Sequence, residues 1–354
     1  MTKEQLQDRC RGSLVGGAVG DALGYPVEFV YSFNEIRTRY GEGGITEYDT
    51  NYPWLEESLR HYQAQFSDDT QMTLYTAEGL LEAERNGKPI IPTICNSYLA
   101  WFGHQVDKKV VISYRSALSE IKELNQRRAP GNTCLTALFS IHDGKEPVNL
   151  SKGCGGVMRV APIGIYGACH GWTLEKTARI AGEAAKLTHL HPLSTYSSAA
   201  LAAIVQLCLA SDNIDADGFR TIVRKSLEIV TDLYGESAPS IDELRKIISL
   251  AIRMENSPLP DWEIIENILG GGWVAEETLA IAVFSVLRHL NDFNGCMICS
   301  VNHGGDSDST GAVAGNIIGA ILGYEAIPEK FTATIQLHDL LISMSDDLSD
   351  NNDD

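Results

Sequence analysis

Glycine recurs at every fourth position in two separate stretches, Gly12, Gly16, Gly20 and Gly24 near the N-terminus and Gly311, Gly315, Gly319 and Gly323 near the C-terminus. In a helix this spacing collects the glycines on one face, so another backbone can come close with no side chain between. Each ladder carries acid at one end. Asp21 and Glu28 accompany the end of the first, and Asp306-Ser307-Asp308-Ser309-Thr310 leads into the second. A third acidic cluster, Ser67-Asp68-Asp69-Thr70, opens another apolar helix. Hard cations such as Mg²⁺ take oxygen ligands from carboxylates and hydroxyls, so three such clusters brought together would make a site for one or two of them. The clusters lie at opposite ends of the chain. If they meet, the N- and C-terminal helices are neighbours in one all-α domain.

Taken alone, Ser67-Asp68-Asp69-Thr70 is only a well-started helix, because Ser is a good N-cap and Asp is favoured in a first turn. Its repetition at Asp306–Thr310 adds meaning. Two such starts facing each other gather four carboxylates, a repulsive arrangement unless a cation sits between them. The same residues match the DxDxT pattern of phosphatases with an aspartyl nucleophile. That chemistry needs a parallel strand and a following α/β core, whereas Thr310 here leads into a glycine-laddered helix and an acidic end.

A formal charge of −19, with 28 Lys and Arg against 47 Asp and Glu, argues against a protein that grips a nucleic-acid backbone. Helical periodicity dominates, with apolar stripes such as Leu14, Val15, Ala18, Val19 and Ala22. Helices are predicted over about 91–104, 174–187, 193–211, 216–233, 240–255 and 331–344, the pair spanning 216–255 lying on the surface. No linker is evident, so residues 1–344 are expected to be one domain and the acidic run 345–354 a disordered tail. Residues 39–66, rich in Tyr, Gly and acid, form a long irregular stretch of the kind used as lids. Eight scattered cysteines suggest a reducing, cytoplasmic setting. Cys296-Met-Ile-Cys299 has CxxC spacing, but with no second CxxC or paired histidines nearby it is taken as buried thiols. No apolar run is expected to span a bilayer, and no signal peptide is expected at Met1.

The stretch Ser151–Pro162 holds Gly153, Gly155 and Gly156, whose exposed N–H groups can cradle phosphate, with Arg159 adding charge. Its spacing is not that of a dinucleotide-binding fold. Gly131-Asn132-Thr133 is a second such loop. His189, His191 and His303 are by default structural histidines, and Trp273 a core anchor.

In this order, Gly17–Phe29, Ser67–Met72, Gly153–Arg159, Thr188-His189 and Gly304–Thr310 resemble the ADP-ribosylglycohydrolase family over about residues 8 to 325. The resemblance implies an all-α, orthogonal helical bundle with a binuclear Mg²⁺ or Mn²⁺ centre. It implies metal ligation by Ser67, Asp68, Asp69, Asp306, Asp308 and Ser309, where serines stand at two positions the family fills with threonine. Glu28, Asp69 and Asp306 fall at catalytic positions. Asn132, Ser151, Gly153, Cys154, Gly155, Gly156, Met158 and His189 fall at positions that bind substrate, with Cys154 standing where asparagine is expected. The implied reaction is water attack on the anomeric carbon of the distal ribose, releasing ADP-ribose from an ADP-ribosylated protein, with arginine the leading acceptor. Serine, base or small-molecule conjugates, or a non-catalytic ADP-ribose binder, are the alternatives. Neither membrane nor nucleic acid is an expected partner.

Overall fold

The computed structural model describes residues 1–51, 63–106, 114 and 116–351. Among them are α1 (Lys3–Gly24), α2 (Phe33–Tyr40), α3 (Asp68–Arg85), α4 (Ile90–Gln105), α5 (Asn132–His142), α6 (Ala161–Cys169), α7 (Leu174–Lys186) and α8 (Pro192–Leu209). Then come α9 (Ala216–Tyr234), α10 (Ile241–Met254), α11 (Asp261–Ile264), α12 (Ala275–Arg288), α13 (Phe293–Val301), α14 (Ser307–Leu322), α15 (Glu329–Thr332) and α16 (His338–Ser349). The described residues include no strand, only two isolated bridges.

The glycine ladders form the central seam. A Cβ built on Gly12 would lie 2.5 Å from the Gly319 carbonyl oxygen, one on Gly16 2.6 Å from that of Gly315, and one on Gly20 nearer still to that of Gly311. No real side chain fits there. α1 and α14 therefore run antiparallel with their backbones in contact, four residues forward on one matching four back on the other. Ser13 and Asn316 lock the register: Ser13 Oγ donates to the Asn316 carbonyl and Asn316 Nδ2 to the Ser13 carbonyl, each at 2.8 Å. In consequence Gly24 meets the Ser307 carbonyl, which lays the acidic end of α1 beside the acidic start of α14.

Around this seam the bundle obeys its apolar patterns. α9 and α10 bury one face each, with Phe219, Ile222, Val223 and Val230 on one and Ile241, Leu244, Ile248 and Ala251 on the other, as surface helices do. α8 departs from expectation, being apolar and long enough to cross a membrane. It is 89% buried inside the protein, and so serves as a core helix.

Three further readings are corrected or bounded. The helix predicted over 331–344 is broken: Gln336 N donates to the Ala64 carbonyl and Ala64 N to that of Thr334, both at 2.9 Å, and Leu337 adopts a left-handed φ of 57° before α16 begins. The acidic tail expected from residue 345 is helical through Ser349. Arg11 grips Asp346 in a bidentate pair at 2.6 and 2.7 Å, while Ser345 and Leu348 are buried. Of the lid reading for 39–66, residues 52–62 lie outside the described residues; 45 and 64–66 are buried, and Ile45 N donates to Asn302 at 2.8 Å.

Candidate active site

Asp21 connects the seam to the third acidic cluster. Fully buried on α1, its carboxylate accepts from Ser67 N (2.7 Å), Thr70 N (2.9 Å) and Thr70 Oγ1 (2.6 Å), pinning the first turn of α3. Burial, with Asp308 nearby, raises its pKa to about 7. Ser67 is the N-cap of α3, accepting from Asp69 N at 3.1 Å. Asp68 is braced from the other side, its N–H donating to the Arg128 carbonyl (3.0 Å) and its carboxylate accepting from Gly131 N (3.3 Å).

The three acidic segments meet. Carboxylate oxygens of Glu28, Asp306 and Asp308 all lie within 4.8 Å of one another. Ser309 Oγ donates to Asp69 at 2.7 Å, joining α14 to α3. Glu28, Asp68, Asp69, Asp306 and Asp308 are each 7% exposed or less. Burial first, and the neighbouring carboxylates second, push Glu28, Asp68, Asp69 and Asp306 well above the usual carboxylate range. Glu28 Oε2 is buried without a hydrogen-bond partner. An oxygen-rich, charge-starved set of this kind fits a hard divalent cation.

The cluster opens into a cleft lined also by Asn132, Gly153, Cys154, Gly155, Met158, His189 and Trp273. Cys154 Sγ donates to Asp306 at 2.7 Å, so this residue touches the acidic cluster as well as the cleft. His189 is buried, its Nδ1 2.9 Å from Thr188 Oγ1 and its Nε2 beside Gly153. Burial and the Arg159 charge lower its pKa to about 3, so the ring is neutral.

Two of the expected substrate-site residues stand one layer back from the cleft lining. Gly156 packs against Ser194 and Ala185, its backbone serving close approach to the neighbouring helices. Ser151 stands behind the loop, accepting from Gly153 N (3.3 Å) and Thr133 Oγ1 (3.1 Å). Arg159 is also reassigned: fully buried over the Tyr98 ring, it donates to Thr188 Oγ1 at 2.6 Å, so it sets the Thr188–His189 pair and does not meet a phosphate. His191 caps α8 through Leu193 N (3.2 Å), and His303 is held by Thr310 at 2.9 Å, both structural as expected. Trp273 is no core anchor. It is 43% exposed and stacks on the half-exposed Phe29 with ring centroids 6.0 Å apart, at the cleft mouth. Sequence offers no signal for that pair, whose members lie far apart in the chain. The Asp21 clamp is likewise invisible there, since a lone aspartate beside an acidic cluster reads simply as another acid.

The profile of the ADP-ribosylglycohydrolase family matches residues 2–354. The chain belongs to this family. Its relatives include the ADP-ribosyl-[dinitrogen reductase] glycohydrolase of Rhodospirillum rubrum, 26% identical with 95% of this chain and 93% of that one covered. The human ADP-ribosylhydrolase ARH3 is 28% identical over 91% of this chain and 88% of its own. The ADP-ribosylarginine hydrolase Tri1 of Pseudomonas putida is 23% identical, covering 99% and 80%. A solved structure titled ADP-ribosylglycohydrolase-related protein complex has the same fold, with a TM-score of 0.62 and 98% of each chain covered at 23% identity. The chain is thus an all-α member of a hydrolase family that acts on ADP-ribose conjugates.

Proposed function

We propose that this member of the ADP-ribosylglycohydrolase family removes ADP-ribose from mono-ADP-ribosylated protein, with arginine as the acceptor. The observation that carries the reading is the convergence of Glu28, Asp68, Asp69, Asp306 and Asp308 beside a cleft in a chain of this family. Ser67, Asp68, Asp69, Asp306, Asp308 and Ser309 would hold two divalent ions, Mg²⁺ or Mn²⁺. Bound there, such ions supply Lewis acidity, ordering ribose hydroxyls and making a water acidic enough to ionise near neutral pH.

The chain's own groups do the rest. Gly153 and Gly155 present backbone at the cleft wall for the phosphates, and neutral His189 offers Nε2 as a hydrogen-bonding atom. Asp69 and Asp306 are placed to accept the proton of the attacking water. The arginine side chain leaves readily only if its glycosidic nitrogen is protonated, so that it departs as neutral guanidine. Glu28 or Asp69, both buried at the cleft, is placed to donate that proton. The Phe29–Trp273 stack at the mouth favours arginine over serine, because a guanidinium rests well on an aromatic face. The free thiols among the described residues fit a reducing, cytoplasmic location.

The test is direct. Purified protein with Mg²⁺ or Mn²⁺ is offered arginine-, serine- and base-linked ADP-ribose, and free ADP-ribose is measured. Release from the arginine conjugate is expected to lead; release from none of the three would leave only an ADP-ribose binder.

A further inference from the structure

The Cys296–Cys299 motif, in sequence no more than a pair of buried thiols, acquires neighbours in the fold. The end of α12, the start of α11 and α13 meet so that Cys299 Sγ, a ring nitrogen of His289 and an Asp261 carboxylate oxygen all lie within 4.8 Å of one another. The His289 and Asp261 atoms are 3.1 Å apart. One turn before His289, Ser285 is fully buried and its Oγ faces the Cys299 thiol, which also faces Asp261. Arg288 presets the carboxylate. Its Nε holds Asp261 Oδ1 at 2.9 Å, and its Nη1 holds the Glu255 and Ser257 carbonyls at 2.6 and 2.8 Å, fixing the loop ahead of α11. None of these residues lines the cleft of the acidic cluster.

We propose that Asp261, His289 and Cys299, with Ser285 as an accessory oxygen, form a second cation site, for a borderline-soft divalent ion of the Zn²⁺ class. The donor set decides the class. One sulfur, one imidazole nitrogen and one carboxylate suit zinc, whereas the all-oxygen cluster beside the cleft suits Mg²⁺ or Mn²⁺. Donors bound at zinc distances stand roughly 3.5 Å apart in a tetrahedron, so the observed spacing closes with small side-chain movements. Asp261 and His289 are 28% and 27% exposed and give the ion a way in, while buried Cys299 and Ser285 close the inner side. An ion there joins three helices that otherwise share hydrogen bonds, the Arg288–Asp261 ion pair and apolar packing, and so stabilises the fold without touching the reaction.

The test uses the full chain, stripped with chelator and then held in excess Mg²⁺ to occupy the acidic cluster. Co²⁺ is titrated in, followed by Zn²⁺ in competition. One equivalent of Co²⁺ is expected to bind with a thiolate-to-cobalt charge-transfer band that Zn²⁺ abolishes. Cys299→Ser should lose the band, whereas Cys154→Ser, which removes the thiol beside the acidic cluster, should keep it. His289→Gln, a partly exposed position that spares the buried sulfur, should weaken Co²⁺ and Zn²⁺ binding at least tenfold and lower the Zn²⁺-dependent rise in thermal midpoint. That variant decides the matter if Cys299→Ser fails to fold. A wild type without the band, a band lost with Cys154 and kept without Cys299, or unchanged affinity in His289→Gln would overturn the assignment.

Discussion

α1 and α14 touch in two ways, and the two contacts have opposite energetic character. Along the ladder, backbone meets backbone with every Cβ removed, and the close fit gains dispersion contacts that no larger residue allows. A few residues further on, the ends of the same two helices and the residues flanking them bring Asp21, Glu28, Asp306 and Asp308 together with Asp68 and Asp69 of α3, buried and facing one another. That end costs stability. The lesson is a division of labour: the seam supplies rigidity and cohesion, and the acidic end uses them to keep like charges in place for chemistry. Substitutions on the two sides of this boundary should therefore separate stability from turnover.

The largest separation is expected at Asp308. Asp308→Ala should lower kcat/KM by about 10³-fold or more, a loss of about 4 kcal/mol of transition-state stabilisation. Its thermal midpoint in chelator should equal or exceed that of the wild type, because one of several mutually repelling carboxylates is gone. A marked fall in that midpoint would break the comparison. Gly20→Ala should do the reverse. The new Cβ collides with the Gly311 carbonyl, which belongs to backbone and has nowhere to retreat. A loss of about 3 kcal/mol in urea unfolding is expected, with turnover per folded molecule reduced because the acidic ends shift apart.

This boundary is partly legible in the sequence, for a physical reason. A period of four encodes a helix face, so the ladders announce a close helix pair, and the acids flanking them announce the site. Features that depend on partners distant in the chain stay hidden. The break at residues 333–337 comes from backbone pairing with Ala64, and helical order through Ser349 from Arg11, neither of which any local pattern reveals. Asp21 reads as one more acid, yet its three hydrogen bonds to the start of α3 make it a clamp. The glycine loop stands out by its spacing and does reach the cleft, but Arg159 and Gly156 turn inward from it.

A smaller effect is tied to pH. Asp21 has a folded pKa of about 7 against an ordinary 3.8, so its contribution is present below about pH 4 and lost as pH rises towards 7. Asp68, Asp69 and Asp306 are raised too and act in the same sense. His189, depressed from 6.5 to about 3, and His303, depressed to about 4, act oppositely, costing stability as pH falls below 6.5. The net curve of the metal-free protein mixes both. The difference between Asp308→Ala and wild type removes the histidine part, and the variant's advantage in thermal midpoint should widen from about pH 4 to about pH 7. Added Mg²⁺ or Mn²⁺ should close that gap most at the upper end, where fewer protons have to be displaced. An advantage that narrows with rising pH would mean the carboxylates have counter-charges.

The smallest effect belongs to the rim, which is neither seam nor acid. Trp273 is 43% exposed and stacks on Phe29, so Trp273→Ala should cost about 1 kcal/mol of stability or less. None of the groups assigned to proton transfer is altered, so kcat should stay within about twofold. KM should rise for an arginine conjugate and change little for a serine conjugate, because only the guanidinium carries a charge that an indole face can hold. The measurement is the ratio of the two KM values in variant and wild type. An unchanged ratio would take acceptor choice away from the aromatic rim and return it to the acidic end.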